Sequence, residues 1–322
     1  YLNISDHIIE GKKLEHIPQE SMIIDAPRNP RVRFLNDKIN EIFVSQSLIK
    51  SMFYKLHSVD ECPYKIYHCE LLRDVKTPET TSMTKGRYFE TNCIGRGADN
   101  EIIIDLERDK RTGEKKTDHK RIDQAIIRFK ELVNDIGLTI LPDGSNVQVK
   151  SKKIWDQNKF KGITVWIEGT ADFLSPIKWE IYDLDVAVFD LKLTGDRDSC
   201  IPPYCWGCPG EMDHIQGTTY FMLFEIPFFY LVFDYRAKNP GYKILPFNMN
   251  VNHPDPERAL QARNRIKDFH QQMRELIATL QMWEEEGWKK NPIGIDPISG
   301  KQRMNCKRCV LECEFKYKSY EV

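Results

Sequence analysis

The sequence predicts a mixed α/β fold, with one large core built on a central sheet flanked by helices and room for insertions or a satellite subdomain. Three observations carry this. At 322 residues the chain is long for one domain and short for two. Its 41% apolar and 30% charged residues are the balance of an ordinary globular protein. Strand-like apolar runs alternate along it with stretches of helical spacing.

Residues 1–44 read as a turn-rich N-terminal extension, in which "PRNPRVRF" breaks any helix and no role is assigned. "SQSLIKSMFYKL" (45–56) spaces Leu48, Met52, Phe53 and Leu56 as a short helix, with Ser45 or Ser47 as cap. After "ECPYKIYHCELL" (61–72), "TKGRYFETNCIGRG" (84–97) reads as a second helix, whose Gly86 would permit close backbone packing. "RDKRTGEKKTDHKR" (108–121) sets seven Lys and Arg against three acids and reads as a solvated loop. "KSKKIWDQNKFK" (150–161) places Trp155 and Phe160 among five lysines. Aromatic faces stack on unpaired bases while ammonium groups neutralise phosphates, so Lys152, Lys153 and Trp155 are candidate contacts for single-stranded nucleic acid. An ordinary amphipathic edge explains the same residues equally well.

"ITVWIEGTADFL" (163–174) and "YDLDVAVFDLKLT" (182–194) read as adjacent strands joined by a turn at Ser175 and Pro176. An insertion at 196–215 follows. "HIQGTTYFMLFEI" (214–226) is helical as far as Pro227, and 228–236 is a further strand. The clearest helix is 256–288, where Leu260, Ile266, Phe269, Met273, Ile277 and Leu280 fall largely three and four apart between Pro256 and Gly287.

A net charge of −1 does not advertise a nucleic-acid binder, but a whole-chain sum hides local patches. The longest apolar run, Tyr220 to Phe233, is interrupted by Glu225 and Pro227 and falls short of the about 20 residues a bilayer span needs, so no membrane partner is expected. Nine cysteines, an odd number in two tight clusters, favour metal binding in a reducing compartment over a secreted disulfide framework. The reading is a cytoplasmic or otherwise intracellular protein. The chain starts at Tyr1 rather than Met, which leaves a preceding targeting segment open.

Within the run 186–196, Asp190 and Lys192 stand two apart in a strand and so share a face, while Val188, Phe189 and Leu191 hold the strand in place. Unpaired charge on an apolar strand is costly. The preceding strand ends in "GTADF", and an antiparallel hairpin would bring Asp172 beside Asp190. Two close carboxylates repel unless a proton is retained or a cation binds. A divalent metal is the natural third party. Oxygen ligands select Mg²⁺ or Mn²⁺, which would polarise a phosphoryl oxygen and acidify a bound water, with Lys192 positioning that water or neutralising developing charge. This is the chemistry of phosphodiester hydrolysis.

These residues resemble the PD-(D/E)XK nuclease superfamily in its RecB-like branch. The resemblance rests on a Gly-x-x-x-Glu helix (Gly86, Glu90), an Asp after a glycine-led strand (Gly169, Asp172), the Asp-x-Lys strand (Asp190, Lys192) and a Gln-x-x-x-Tyr helix (Gln216, Tyr220), in order and in register. Many members carry His where this chain has Glu90, and Glu where it has Asp190. The resemblance implies a restriction-endonuclease-like mixed sheet and metal-dependent DNA cleavage. It makes Glu90, Asp172 and Asp190 the metal ligands and Lys192 the catalytic lysine. Gln216 and Tyr220, one helical turn apart, would contact DNA near the scissile bond.

The cysteines extend the resemblance. RecB-like nucleases of the helicase-nuclease and CRISPR-adaptation type carry a "CPxKxY" segment before the helical motif and a cysteine cluster at the C-terminus, together binding a 4Fe-4S cluster. Here Cys62 in "CPYKIY" and Cys306, Cys309 and Cys313 in "NCKRCVLEC" match, with "GWKKNP" (287–292) ahead of them. Such a cluster would join the two ends of a nuclease domain running over 45–322, with 287–322 as its cysteine-rich end. A second group, Cys200, Cys205 and Cys208 followed by His214, offers four tetrahedral ligands for Zn²⁺ or else free thiols packed in an insertion loop. Cys69 and Cys93 read as small buried apolar groups, and His68, His253 and His270 as packing or surface histidines.

The expected function is a Mg²⁺- or Mn²⁺-dependent DNA exonuclease or endonuclease of recombination, repair or replication, of viral origin or not, working with a helicase or recombination partner. A CRISPR-adaptation nuclease is the neighbouring reading. The reading from another class is a catalytically silent DNA-binding or partner-docking subunit on the same fold.

Overall fold

The most apolar stretch of the chain, Phe228–Asp234, forms a strand in which every residue is buried, as expected of a strand covered on both faces. The structure, a computed structural model, describes residues 30–56, 62–75, 80–97, 102–103, 105–156, 162–201, 205–209, 212, 214–237 and 240–289. In chain order the elements are β1 (Val32–Leu35), β2 (Lys38–Val44), α1 (Gln46–Leu56), α2 (Pro63–Lys65, continued by π-helical turns over Ile66–Leu72), α3 (Thr81–Ile94), α4 (Thr117–Asp135), β3 (Val147–Asp156), β4 (Thr164–Trp179), β5 (Tyr182–Thr194), α5 (Ile215–Phe224), β6 (Phe228–Asp234), β7 (Tyr242–Phe247) and α6 (Pro256–Glu285). The strands form a seven-stranded mixed sheet in the order β1-β2-β4-β5-β6-β7, with β3 also paired to β4. The pairs β2·β4 and β5·β6 are parallel, while β1·β2, β4·β5 and β6·β7 are antiparallel. Among the described residues no helix is long and apolar enough to cross a membrane.

The chain divides into two compact units. One holds the described residues of Glu79–Ser151 and Gly169–Ile266. Its core is aromatic: Phe173 stacks on Phe189 at 4.8 Å, Phe189 on Phe229 at 5.5 Å, and Phe129 of α4 meets Phe173 edge-on. Phe89 of α3 packs against Phe233, so α3 and α4 cover this face of the sheet. Helix α3 starts where Thr80 Oγ1 accepts from the Met83 amide and ends at Gly95, whose φ of 82° suits a left-handed cap. Gly86 has open space around its α-carbon, so the expected close packing there does not occur. The charge run 108–121, expected as a solvated loop, is a loop only as far as Lys116; its last five residues are the start of α4. Its cations are paired, Arg108 with Asp105, Lys116 with Glu107 and Lys115 with Asp123.

The hairpin of β4 and β5 forms as expected, but its turn lies elsewhere. Strand β4 continues through Ser175 and Pro176, where the register shifts, and the chain reverses at Glu180 and Ile181. Proline has no N–H for the ladder and is accommodated at such an irregularity. The buried Ser175 hydroxyl fills the gap, accepting from the Thr139 amide at 2.7 Å and donating to the Pro176 carbonyl at 2.8 Å.

The other unit holds the described residues of Ser21–Pro78, Lys152–Glu168 and Lys267–Val322. Residues 32–44, placed in an unassigned extension on sequence grounds, are its strands β1 and β2, and β2 runs parallel to the start of β4. Arg31 is nearly buried and binds Glu70 at 2.8 Å and Glu168 at 3.5 Å. Tyr67 of the "CPYKIY" segment stacks on Trp288 at 4.7 Å.

Candidate active site

The aromatic ladder sets the site. Phe173 lies opposite Phe189 in the β4·β5 register and both face the core, so their chain neighbours Asp172 and Asp190 stand side by side on the opposite face. The Leu191 amide donates to Asp172 Oδ2 at 2.6 Å. Asp190 is 2% exposed. One of its oxygens, Oδ2, is ion-paired with the ammonium of Lys192, two residues along the same strand. The other, Oδ1, accepts from Gln216 Nε2 of α5 at 2.6 Å. Glu90 of α3 adds its charge to the field felt by Asp172 and Lys192. All four expected catalytic residues therefore act on one another.

The electrostatics follow from burial. Desolvation, then the charges of Asp190 and Glu90, push the Asp172 carboxyl well above the usual carboxylate range, against the counter-pull of Lys192 and the Leu191 amide. Burial opposes the charge on Lys192, but Asp190 and Asp172 outweigh it and hold the ammonium above its ordinary value. Three acids share one lysine, an arrangement short of positive charge.

Gln216 and Tyr220, expected to meet DNA, belong to α5. Both are buried, and their polar heads are used within the protein: Gln216 on Asp190, and the Tyr220 hydroxyl donating to the Thr170 carbonyl at 2.8 Å. Gly169 makes this possible, since a β-carbon there would come within 2.9 Å of the Tyr220 ring. Burial, then Asp190 and Asp172, raise the Tyr220 phenol well above its ordinary value, so it stays a donor. Helix α5 thus grips β4 through the Thr170 carbonyl and β5 through the Asp190 carboxylate.

The donor set suits a hard divalent cation, being all carboxylate oxygen, with the Asp172 carboxyl held above its usual range by burial and the neighbouring acids. Among the described residues, however, no three or more His, Cys, Asp or Glu side chains are gathered closely enough to hold a metal ion.

Lys152, Lys153 and Trp155 belong to β3 in the second unit; both lysines are exposed, and Trp155 Nε1 donates to His270 Nδ1 at 3.0 Å. Cys62 is half-buried at the start of α2, and Cys306, Cys309 and Cys313 lie outside the described residues. The second cysteine group is neither a thiol set for zinc nor a set of free thiols: Cys200 and Cys208 form a disulfide, and Cys205 is buried with its Sγ donating to the Cys200 carbonyl at 3.4 Å. Two sulfurs bonded to each other leave too few thiolates for a tetrahedral site.

One polar cluster escaped the sequence reading. Between α3 and α4, His119 is 1% exposed, with Nε2 3.1 Å from the Tyr88 hydroxyl, which donates to Asp123 Oδ1 at 2.6 Å. Burial pushes the His119 imidazole down and, with the Asp123 bond, the Tyr88 phenol up. The seam docks the helix that carries Glu90. Its signal was the spacing of Ile122, Ile126, Phe129 and Leu132, hidden behind the charge run that precedes it.

No protein-family model and no curated protein matches the chain. Among solved structures, a crystal structure described as a putative exonuclease from Eubacterium rectale is similar to it at a TM-score of 0.45 and 17% identity, covering 73% of this chain and 82% of that one.

Proposed function

We propose that the protein is a metal-dependent nuclease that hydrolyses DNA phosphodiester bonds, as its resemblance to RecB-like PD-(D/E)XK nucleases implies. The carrying observation is the adjacency of Asp172 and Asp190 on one face of a hairpin, with Lys192 paired to Asp190. Asp172, Asp190 and Glu90 would hold Mg²⁺ or Mn²⁺, which when bound would supply Lewis acidity at the phosphoryl oxygen and an acidified water. Lys192 is held fully protonated, so its work is to orient the attacking water and balance charge building on the phosphate. Gln216 and Tyr220 are positioning residues: one fixes the Asp190 carboxylate, the other fixes β4 beside it.

Lys152, Lys153 and Trp155 are retained as a proposed single-strand contact. A 4Fe-4S cluster on Cys62, Cys306, Cys309 and Cys313 is retained as well. What supports the cluster, beyond the cysteine spacing, is the Tyr67–Trp288 stack between the two segments that the resemblance pairs. Brown colour after anaerobic purification, lost in Cys306→Ser, tests it; a colourless protein carrying zinc at stoichiometry would replace the iron. For the nuclease itself, end-labelled linear, nicked and circular DNA is incubated with Mn²⁺. Cleavage by the wild type, and cleavage lowered by orders of magnitude in Lys192→Ala, is expected. DNA left intact at every metal concentration, with binding retained, would instead favour the silent DNA-binding subunit.

A further inference from the structure

We propose that Arg121 and Arg236 form a docking site for the backbone phosphates of duplex DNA, set at the carboxyl ends of β5 and β6. This names a substrate contact for the proposed nuclease, and it rests on that reading for the choice of polyanion. Helices α3 and α4 both run opposite to β6. Phe89 and Phe129 meet Phe233, while Lys85 and Arg121, nearer the helix starts, meet Tyr235 and Arg236 just past the strand's end. The positive ends of two helix dipoles therefore face one edge of the sheet. Arg121 is held there by Nη1, which donates to the Arg236 carbonyl at 3.1 Å. The exposed Arg236 side chain lies by Tyr235, its guanidinium carbon 5.8 Å from the ring centre. It also crosses Gly195, where a β-carbon would come within 2.9 Å of Arg236 Cδ.

Charge is out of balance at this edge. Lys85 Nζ binds Asp118 Oδ2 at 2.6 Å, and Lys85, with Arg236 and Arg121 behind it, pulls the Asp118 carboxyl below its ordinary range. Asp118 is thus one acid among three cations. Asp234, the acid two residues before Arg236, is taken by Arg197 Nη1 at 2.8 Å. Among the described residues neither Arg121 nor Arg236 has a carboxylate within ion-pairing distance, whereas Arg108, Lys115 and Lys116 of the adjoining loop each have one. Two guanidiniums steadied only by neutral groups repel each other, and a bound anion relieves that repulsion. Their planar forks match phosphate oxygens. Thr194 accepts from the Tyr235 amide, which fixes the patch to the end of the strand that carries Asp190 and Lys192. Gly195 lies three residues beyond Lys192, about 10 Å along a strand rising about 3.3 Å per residue. That is about three nucleotides of duplex rise, so the arginines meet phosphates flanking the scissile one.

Fluorescence anisotropy of a labelled duplex about two helical turns long, with the full-length protein in EDTA, measures binding apart from cleavage. Each arginine that neutralises a phosphate adds about 0.9 to the slope of log affinity against log salt. Arg121→Gln/Arg236→Gln should flatten that slope by about 1.8, so the wild-type advantage should shrink about tenfold between about 50 and 200 mM salt. Arg236→Gln alone should give about half the change and leaves the bond from Arg121 to the main chain in place. Arg121→Lys/Arg236→Lys should keep the wild-type slope. Arg128→Gln/Lys178→Gln removes the same charge from exposed positions elsewhere in this unit and should keep it too. With Mn²⁺, the double glutamine variant should raise KM and keep kcat, since neither arginine meets the reacting atoms. An unchanged slope in Arg121→Gln/Arg236→Gln, an equal flattening in Arg128→Gln/Lys178→Gln, or a wild type that binds no duplex at the lowest salt overturns the proposal. Binding with the expected slopes by a protein that cleaves nothing keeps it and sinks the nuclease reading alone.

Discussion

Gln216 Nε2 donates to Asp190 Oδ1 at 2.6 Å, tying the helix after the insertion to the acid of the Asp-x-Lys strand. Partners of this kind orient metal-binding groups, and their loss costs about 10–100-fold in metal affinity or activity. Gln216→Leu should lower cleavage by that factor while circular dichroism stays unchanged. Gln216→Glu should do worse, since it adds a carboxylate to a site already short of positive charge. A Mn²⁺ titration of the cleavage rate for both variants checks this.

Asp172 is held unfavourably in the metal-free protein. Asp172→Asn keeps an oxygen for the Leu191 amide and removes a carboxyl whose ionisation burial and the neighbouring acids oppose. The variant should abolish cleavage yet raise the stability of the protein in EDTA, because the amide has no ionised form for burial and the neighbouring acids to penalise. Urea unfolding in EDTA would measure the gain, and a loss of stability would contradict it.

The same raised carboxyl gives a pH signature. Folded Asp172 keeps a proton that the unfolded chain releases, so its contribution to stability is fully present below the unfolded carboxylate value of about 3.9. That contribution is lost as the pH rises through the raised folded value. The Tm in EDTA should therefore drift downward over this window, and saturating Mn²⁺ should reverse the drift. Metal binding should release protons, visible as a buffer-dependent heat in calorimetry.

Lys192 is the lysine that three acids share. Lys192→Ala should reduce cleavage on the order of 10²–10³-fold, the usual cost of removing one group that stabilises transition-state charge. Lys192→Arg, which keeps the charge but not the shape, should recover only part of the rate. Single-turnover kinetics separate the two from a change in DNA binding.

Tyr88→Phe removes the hydroxyl that links His119 to Asp123 across the α3–α4 seam. It should cost about 1–2 kcal/mol of stability, the price of leaving buried polar groups unmatched. Cleavage at low temperature should change far less than in the Lys192 variants, since none of these groups meets the acids.

The parts legible in the sequence are those governed by local pattern. Helix α6 shows in the three-and-four spacing of Phe269, Met273, Ile277 and Leu280, although Leu260 is exposed and Ala259 and Ala262 take the buried face there, and β5 and β6 show in their apolar runs. Asp172 beside Asp190 follows from alternation along a hairpin. What escaped depends on partners distant in the chain. Pro176 looks like a turn because proline usually punctuates, whereas here Ser175 supplies the bonds that keep β4 continuous. The strands at 32–44 are short, and their pairing lies partly with residues 164–167. Gln216 and Tyr220 stand out as a pair, but only the fold shows that their heads point inward.

The stacked rings of Phe173, Phe189 and Phe229 guard against misalignment. Side chains alternate along a strand, so a slip of β5 by one residue would turn Phe189 and Leu191 out of the core and drive Asp190 and Lys192 into it. The alternative pairing would expose aromatic surface and bury an ion pair among phenyl rings. The oil on one side of the hairpin thereby proofreads the placement of the acids on the other.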